Sequence, residues 1–146
     1  MRNEISISVA GQDNRDAIIS LLQSEKLPVG DIPTQLEKFF VAINEGVVIG
    51  AAGVEAYGKC GLLRSVVVKS AYRKLKIAEQ LVNEIENLGR NEGIDTLYLL
   101  TETAGAYFSK RGYQAMPRAE APRSIQESSE FSHACPSSAM LMRKEL

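Results

Sequence analysis

Residues 62–85, LLRSVVVKSAYRKLKIAEQLVNEI, constrain the fold more than any other stretch of the chain. Leu62 to Val68 is apolar on both alternating sets of positions, interrupted by Arg64 and Ser65, which is the pattern of a strand buried on both faces. A short polar turn follows. From about Lys74 to Asn91 the period changes to helical. Ile77, Leu81, Ile85 and Leu88 recur at three- and four-residue spacing and form one apolar stripe, and Gly93 supplies the stop. A doubly buried strand that feeds directly into an amphipathic helix belongs in a layered α/β or α+β fold.

The flanking sequence alternates in the same way. Ile5 to Val9 reads as a half-buried strand. Asp13 is placed to cap a helical stretch with Ile18, Leu21 and Leu22 on its apolar face, broken by Pro28 and Gly30. A short helix is expected from Pro33 to Lys38. Phe39 to Ile43 and Val47 to Val54 read as strands joined through Asn44-Glu45-Gly46, a hairpin signal. Thr96 to Thr101 is a strand, Thr103 to Arg111 a short helix ended by Gly112, and Tyr113 to Met116 starts another strand. Pro117 to Pro136 is polar and reads as a long loop with a helical turn around Ile125 to Glu130, before a closing strand from Ser138 to Lys144.

Composition narrows the function. The 146 residues fit a single domain able to bury a core unaided. Lys plus Arg is 17 against 18 for Asp plus Glu, so the chain lacks the basic surplus of a protein that coats nucleic acid. Cys60 and Cys135 lie far apart and His133 is the sole histidine, which argues against a zinc site or a disulfide framework and suits a reducing cytoplasm. The N-terminus has no apolar core of a signal peptide, and no apolar run is long enough to span a bilayer. The expected partner is a small molecule, with neither nucleic acid nor membrane, and a homodimer is compatible with the chain.

The turn after the buried strand carries chemistry. A helix N-terminus presents unpaired N–H groups and the positive end of the dipole, and so attracts phosphate. Arg73, Lys74 and Lys76 add three cationic side chains there, although the same residues also describe a solvated basic turn. The order resembles the acetyl-CoA-binding core of the GNAT acetyltransferase superfamily. There a splayed strand pairs its backbone with the pantetheine arm, and a Q/R-x-x-G-x-G/A turn cradles the pyrophosphate. In this chain the turn would be Arg73-Lys74-Leu75-Lys76-Ile77-Ala78, with Lys76 where glycine is usual. Residues 101–113, TETAGAYFSKRGY, resemble the helix that follows the fifth strand, with Phe108, Lys110, Gly112 and Tyr113 at matching places.

The upstream LLRSVVV and the tail, with Pro122, Ile125, Phe131, Cys135-Pro136, Ser138-Ala139 and Met142, are similar to small GNAT N-acetyltransferases associated with arsenic resistance. A more distant similarity runs to the acetyltransferase domain of N-acetylglutamate synthases. The resemblance covers roughly residues 47 to 146. It implies a GNAT fold, a mixed central sheet of six or seven strands with helices on both faces. It implies acetyl-CoA as co-substrate, held by Val66, Val67 and Val68, by the turn Arg73 to Ala78, and by Phe108 and Lys110. It implies transfer of the acetyl group to the amine of a small, amino-acid-like molecule, by direct attack in a ternary complex.

Many superfamily members place a glutamate base early in the fourth strand and a tyrosine acid on the helix after the fifth. Leu62 and Phe108 occupy those places here. Glu55, at the end of the third strand, is the first candidate base, and Glu102, just after the fifth, the second. Arg64 is a charge inside an apolar strand, where it must be matched. It is a candidate for a substrate carboxylate, with Ser65 beside it, or for an internal salt bridge. Tyr107 is read as core packing or as a displaced acid. His133 and Cys135 read as loop residues, Cys60 as packing, and no metal site is expected. A protein or peptide amine as acceptor, and a degenerate non-catalytic CoA-binding or partner module, remain as alternatives.

Overall fold

The computed structural model describes residues 5–27, 29, 36–102, 104–128, 131 and 139–146, and of Lys74 the main chain alone. These residues form β1 (Ile5–Val9), α1 (Arg15–Ser24), β2 (Phe39–Asn44), β3 (Val47–Tyr57), β4 (Cys60–Val68) and α2 (Ile77–Asn91). Then follow β5 (Thr96–Thr101), α3 (Gly105–Lys110), β6 (Gln114–Met116), α4 (Arg123–Gln126) and β7 (Met140–Glu145). The seven strands make one mixed sheet in the order β1-β2-β3-β4-β5-β7-β6, with β4 and β5 parallel and every other pair antiparallel. This is the GNAT fold.

Alternation along the strands divides the core between two faces. Phe40, Ala42 and Ala52 pack with Ile77, Leu81 and Ile85 of α2 on one side. Phe39, Val41, Ala51 and Val67 pack with Ile18, Leu21 and Leu22 of α1 on the other. On that second face lies a further cluster, where Leu62, Tyr98 and Leu141 meet Ala121 and Ile125 of the α4 region. Gly53 sits under the Phe39 ring, where a Cβ would meet ring carbons at 2.6 Å. The β2–β3 hairpin turns on Glu45 and Gly46, both at positive φ, the geometry of a two-residue type I′ loop.

Several boundaries differ from the sequence reading for local reasons. α1 begins at Arg15 with Asn14 as its N-cap, whose Oδ1 accepts the Gly11 N–H at 2.8 Å, and Asp13 lies in a preceding single turn. α2 begins at Ile77 rather than near Lys74, because Lys76 adopts a left-handed conformation that separates a 3₁₀ turn, Ser70–Leu75, from the helix proper. β3 runs on to Tyr57 and β4 starts back at Cys60, since the tight turn between them allows pairing to Tyr57–Cys60. The segment after Pro117 holds a 3₁₀ turn at Arg118–Glu120 and α4 at Arg123–Gln126, upstream of the helical turn expected near Ile125 to Glu130. The expected helix from Pro33 falls largely outside the described residues, as do His133, Cys135 and Ser138.

Candidate active site

One extra residue in β4 builds the site. Gly53 pairs with Arg64, whereas Ala51 pairs with Val67, so β4 spends three steps where β3 spends two. The bulge is centred on Ser65, which takes a left-handed φ of 58°. On its other edge β4 pairs with β5 only from Cys60–Thr96 to Leu62–Tyr98. Beyond that point the strands diverge, and Leu63 to Val68 have no ladder partner on the β5 side. A cavity of about 940 Å³ opens in the gap. Its walls are Leu63 to Val68 of β4 and Leu99 to Glu102 at the end of β5.

The cavity passes through the sheet. On the α2 face it is bordered by Ala78, Ala104, Tyr107 and Phe108, and on the α1 face by Glu25, Lys26 and Leu27, with Arg73 and Ala139 completing it. A smaller cavity of about 360 Å³ adjoins it, lined by Arg73, Lys76, Ala78, Glu79 and Tyr107. Two ligands can therefore enter from opposite faces and meet in the gap.

The turn between β4 and α2 combines a left-handed residue with the start of a helix. Lys76 holds φ 61° and ψ 27°, the conformation that glycine adopts without strain, so the backbone of a glycine turn is present with a lysine in it. The main-chain N–H groups of the first turn of α2 begin there. The Arg73 Nε–H donates to the Val68 carbonyl at 3.1 Å, and its guanidinium also pairs with Glu25 at the end of α1. Leu75 is exposed and Ile77 is buried in the core, so these two could contribute main-chain groups alone.

The other candidate residues separate into two sets. Glu102, Ser65 and Tyr107 border the main cavity. Glu55 borders neither cavity, and Lys110 borders neither. Glu55 lies opposite Leu62 across the β3–β4 ladder, which puts Arg64 on the same face as its diagonal neighbour. Arg64 Nη1 donates to Glu55 Oε2 at 3.0 Å, and the Tyr57 hydroxyl donates to Glu55 Oε1 at 2.8 Å. Arg64 Nε also donates to Ser65 Oγ at 3.1 Å. The Arg64 side chain has no exposed surface and that of Glu55 is 19% exposed. Both Glu55 oxygens are thus engaged by Arg64 and Tyr57, which differs from the expectation of a base facing the acceptor. The network ties the bulge to β3.

Tyr107 and Cys60 both titrate above their ordinary values. Burial raises the pKa of Tyr107 above the usual phenol value against the opposing pull of Arg111, so it stays protonated at neutral pH. Burial, reinforced by Asp95, raises that of the Cys60 thiol, which leaves it a poor nucleophile. Among the described residues no cluster of His, Cys, Asp and Glu could hold a metal ion, and no helix is long and apolar enough to cross a membrane. Sequence reasoning missed Glu25, Lys26 and Leu27. The signal available was the charged pair Glu25-Lys26 at a helix end just before Pro28.

The model of an acetyltransferase (GNAT) domain matches residues 35–115, more than half of the chain. An N-acetyltransferase of Chlorobaculum tepidum, itself uncharacterised, is 31% identical over 101 residues, covering 68% of this chain and 64% of that protein. The amino-acid acetyltransferase of Pseudomonas fluorescens is 32% identical over 81 residues, 54% of this chain but 19% of its own length. The matched region thus spans less than two thirds of either relative. Among solved structures, N-acetylglutamate synthase from Neisseria gonorrhoeae, complexed with coenzyme A and N-acetyl-glutamate, superposes with a TM-score of 0.84 at 19% identity. That superposition covers 100% of this chain and 36% of the synthase. The chain belongs to the GNAT acetyltransferase family.

Proposed function

We propose that the chain is an acetyl-CoA-dependent N-acetyltransferase whose acceptor is a small amino-acid-like amine. The observation that carries this reading is the cavity that crosses the sheet where β4 leaves β5, with the Lys76 turn on one side and Glu25, Lys26 and Leu27 on the other. The similarity to amino-acid acetyltransferases supports the acceptor class.

The residues present fit acetyl-CoA. The unpaired edge of β4 from Val66 to Val68 is free to hydrogen-bond an amide-bearing arm. The Lys76 turn and the N-terminus of α2 accept phosphate, with Arg73 exchanging Glu25 for it. Acetyl-CoA supplies the thioester whose acetyl group passes to the amine, forming the amide N–C bond as the C–S bond breaks. Main-chain N–H groups at the bulge, near Val66, receive the charge that develops on the carbonyl oxygen. Glu102 is the cavity-lining carboxylate at the end of β5 and takes the amine proton, directly or through water. Tyr107, kept protonated, is placed to return a proton to the leaving thiolate. Glu55 and Arg64 position Ser65 and the bulge. Positioning supplies much of such a rate enhancement, so Leu62 in place of a β4 glutamate is compatible with catalysis.

On the pattern of the tail we place the chain nearest the arsenic-resistance-associated branch, and on its thiol content in the cytoplasm. Free thiol released from acetyl-CoA over a panel of amino acids, polyamines and peptides tests the reading. Turnover is expected with amino acids. Turnover with peptides alone would move the acceptor class. A protein neither active nor stabilised against heat by millimolar acetyl-CoA would be a non-catalytic module.

A further inference from the structure

Among the described residues, four that are not glycine hold a positive φ: Lys26 (60°), Glu45 (52°), Ser65 (58°) and Lys76 (61°). Glu45 turns the β2–β3 hairpin. The other three all border the two cavities. Strained backbone of this kind concentrates at functional sites, and the inference runs from the outlier to a role. Ser65 and Lys76 already have roles in the bulge and the turn. Lys26 does not.

Lys26 closes α1 in a Schellman motif. Its N–H donates to the Gln23 carbonyl at 3.0 Å, and the Leu27 N–H donates to the Leu22 carbonyl at 2.9 Å. Glycine fills the position that Lys26 occupies in most such motifs, because it is unstrained there. The lysine brings a charge instead. Five charged residues line the cavity: Glu25, Lys26, Arg64, Arg73 and Glu102. Arg73 pairs with Glu25, and Arg64 with Glu55. The Lys26 side chain has no ion-pair or hydrogen-bond partner among the described residues. It stands at the α1 end of the cavity, on the face of the sheet opposite α2, and exposed Leu27 beside it adds apolar surface.

We infer that Lys26 is a specificity-determining residue that binds the carboxylate of the acceptor, so that the preferred substrate is a free amino acid rather than a neutral amine. This rests on the acetyl-transfer reading. It also moves the anion-binding role away from Arg64, whose charge is matched by Glu55.

The test compares free amino acids with the matching amino-acid amides, which keep the amine and lose the carboxylate. Wild type, Lys26→Gly, Lys26→Met and Lys26→Arg are assayed by thiol release, with thermal unfolding alongside. In Lys26→Gly the KM for free amino acids should rise about 10-fold, as expected for loss of a hydrogen bond to a charged group. The KM values for the amides and for acetyl-CoA should not change, and Tm should rise by about 2 °C as the left-handed strain is relieved. Lys26→Met should share the kinetic defect without the gain in Tm, and Lys26→Arg should keep the preference. Equal effects on acids and amides, or a rise confined to the KM for acetyl-CoA, would overturn the assignment and leave acetyl transfer standing. Wild-type protein that is neither stabilised by acetyl-CoA nor active on either class would remove both.

Discussion

Replacing Lys76 with glycine sets two physical effects against each other at the turn that we assign to acetyl-CoA. The backbone there is left-handed, and a residue with a Cβ is strained in that conformation by roughly 1–2 kcal/mol. Glycine removes the strain but restores freedom to the unfolded chain, at a cost of about 0.4–1 kcal/mol. The net gain is about 1 kcal/mol, or a Tm rise of about 2–4 °C for a domain of this size. The substitution also removes one cation from the phosphate side of the turn. Near solvent, a charge pair at contact distance contributes on the order of 1 kcal/mol, which is about 5-fold in Kd. Glycine offers no compensating improvement in backbone shape, because that shape is already present. Calorimetric titration with acetyl-CoA should therefore show about 5-fold weaker binding for Lys76→Gly, with the difference shrinking as salt is raised. A variant that binds more tightly at every salt concentration, or that unfolds at a lower temperature than wild type, would refute this reasoning.

Three further outcomes follow from the geometry. Glu102→Gln should lower kcat about 10- to 100-fold with little change in Tm, whereas Glu55→Gln should act mainly on stability, read from paired kinetic and thermal measurements. Glu86 of α2 is buried, and Lys144 of β7 donates to both its oxygens at 3.0 Å. Lys144→Met strands that carboxylate with Tyr113 and a more distant Arg90, and should cost about 3 kcal/mol, a Tm loss of about 6–12 °C. Burial, followed by the charge and hydrogen bonding of Glu86, raises the pKa of Tyr113 far above the usual phenol value. Its contribution is therefore complete below the unfolded tyrosine pKa of about 10 and is lost as pH rises above it, because the unfolded chain then holds fewer protons than the folded one. Urea unfolding between about pH 8 and pH 11 should show this decline, and Tyr113→Phe should flatten it.

Much of the fold is legible in the sequence where one periodicity acts alone. Ile5–Val9 alternates cleanly and Thr96–Thr101 is a short apolar run between threonines, and the bounds of both emerge as read. The start of α2 does not, because the left-handed Lys76 is invisible to a rule that expects glycine there. The bulge at Ser65 is equally silent: no glycine or proline marks it, yet its one extra residue separates β4 from β5 and makes the cavity. The pairing of Arg64 depends on register. Nine residues separate it from Glu55 in sequence, and only the ladder that sets Glu55 opposite Leu62 brings the two charges together. For the same reason Glu55 looked available as a base. Lys26 needed the end of α1 to be placed against a gap formed by strands far along the chain.

The central claim is that acetyl-CoA lies in the gap between β4 and β5 with its phosphates on the Lys76 turn. Amide hydrogen exchange with and without acetyl-CoA tests it most directly. The account predicts slower exchange at Val66, Val67 and Val68 and across Arg73 to Ala78, with β1 and the β2–β3 hairpin unchanged. Unaltered exchange in both β4 and the turn at saturating acetyl-CoA, or protection appearing elsewhere on the sheet, would contradict it.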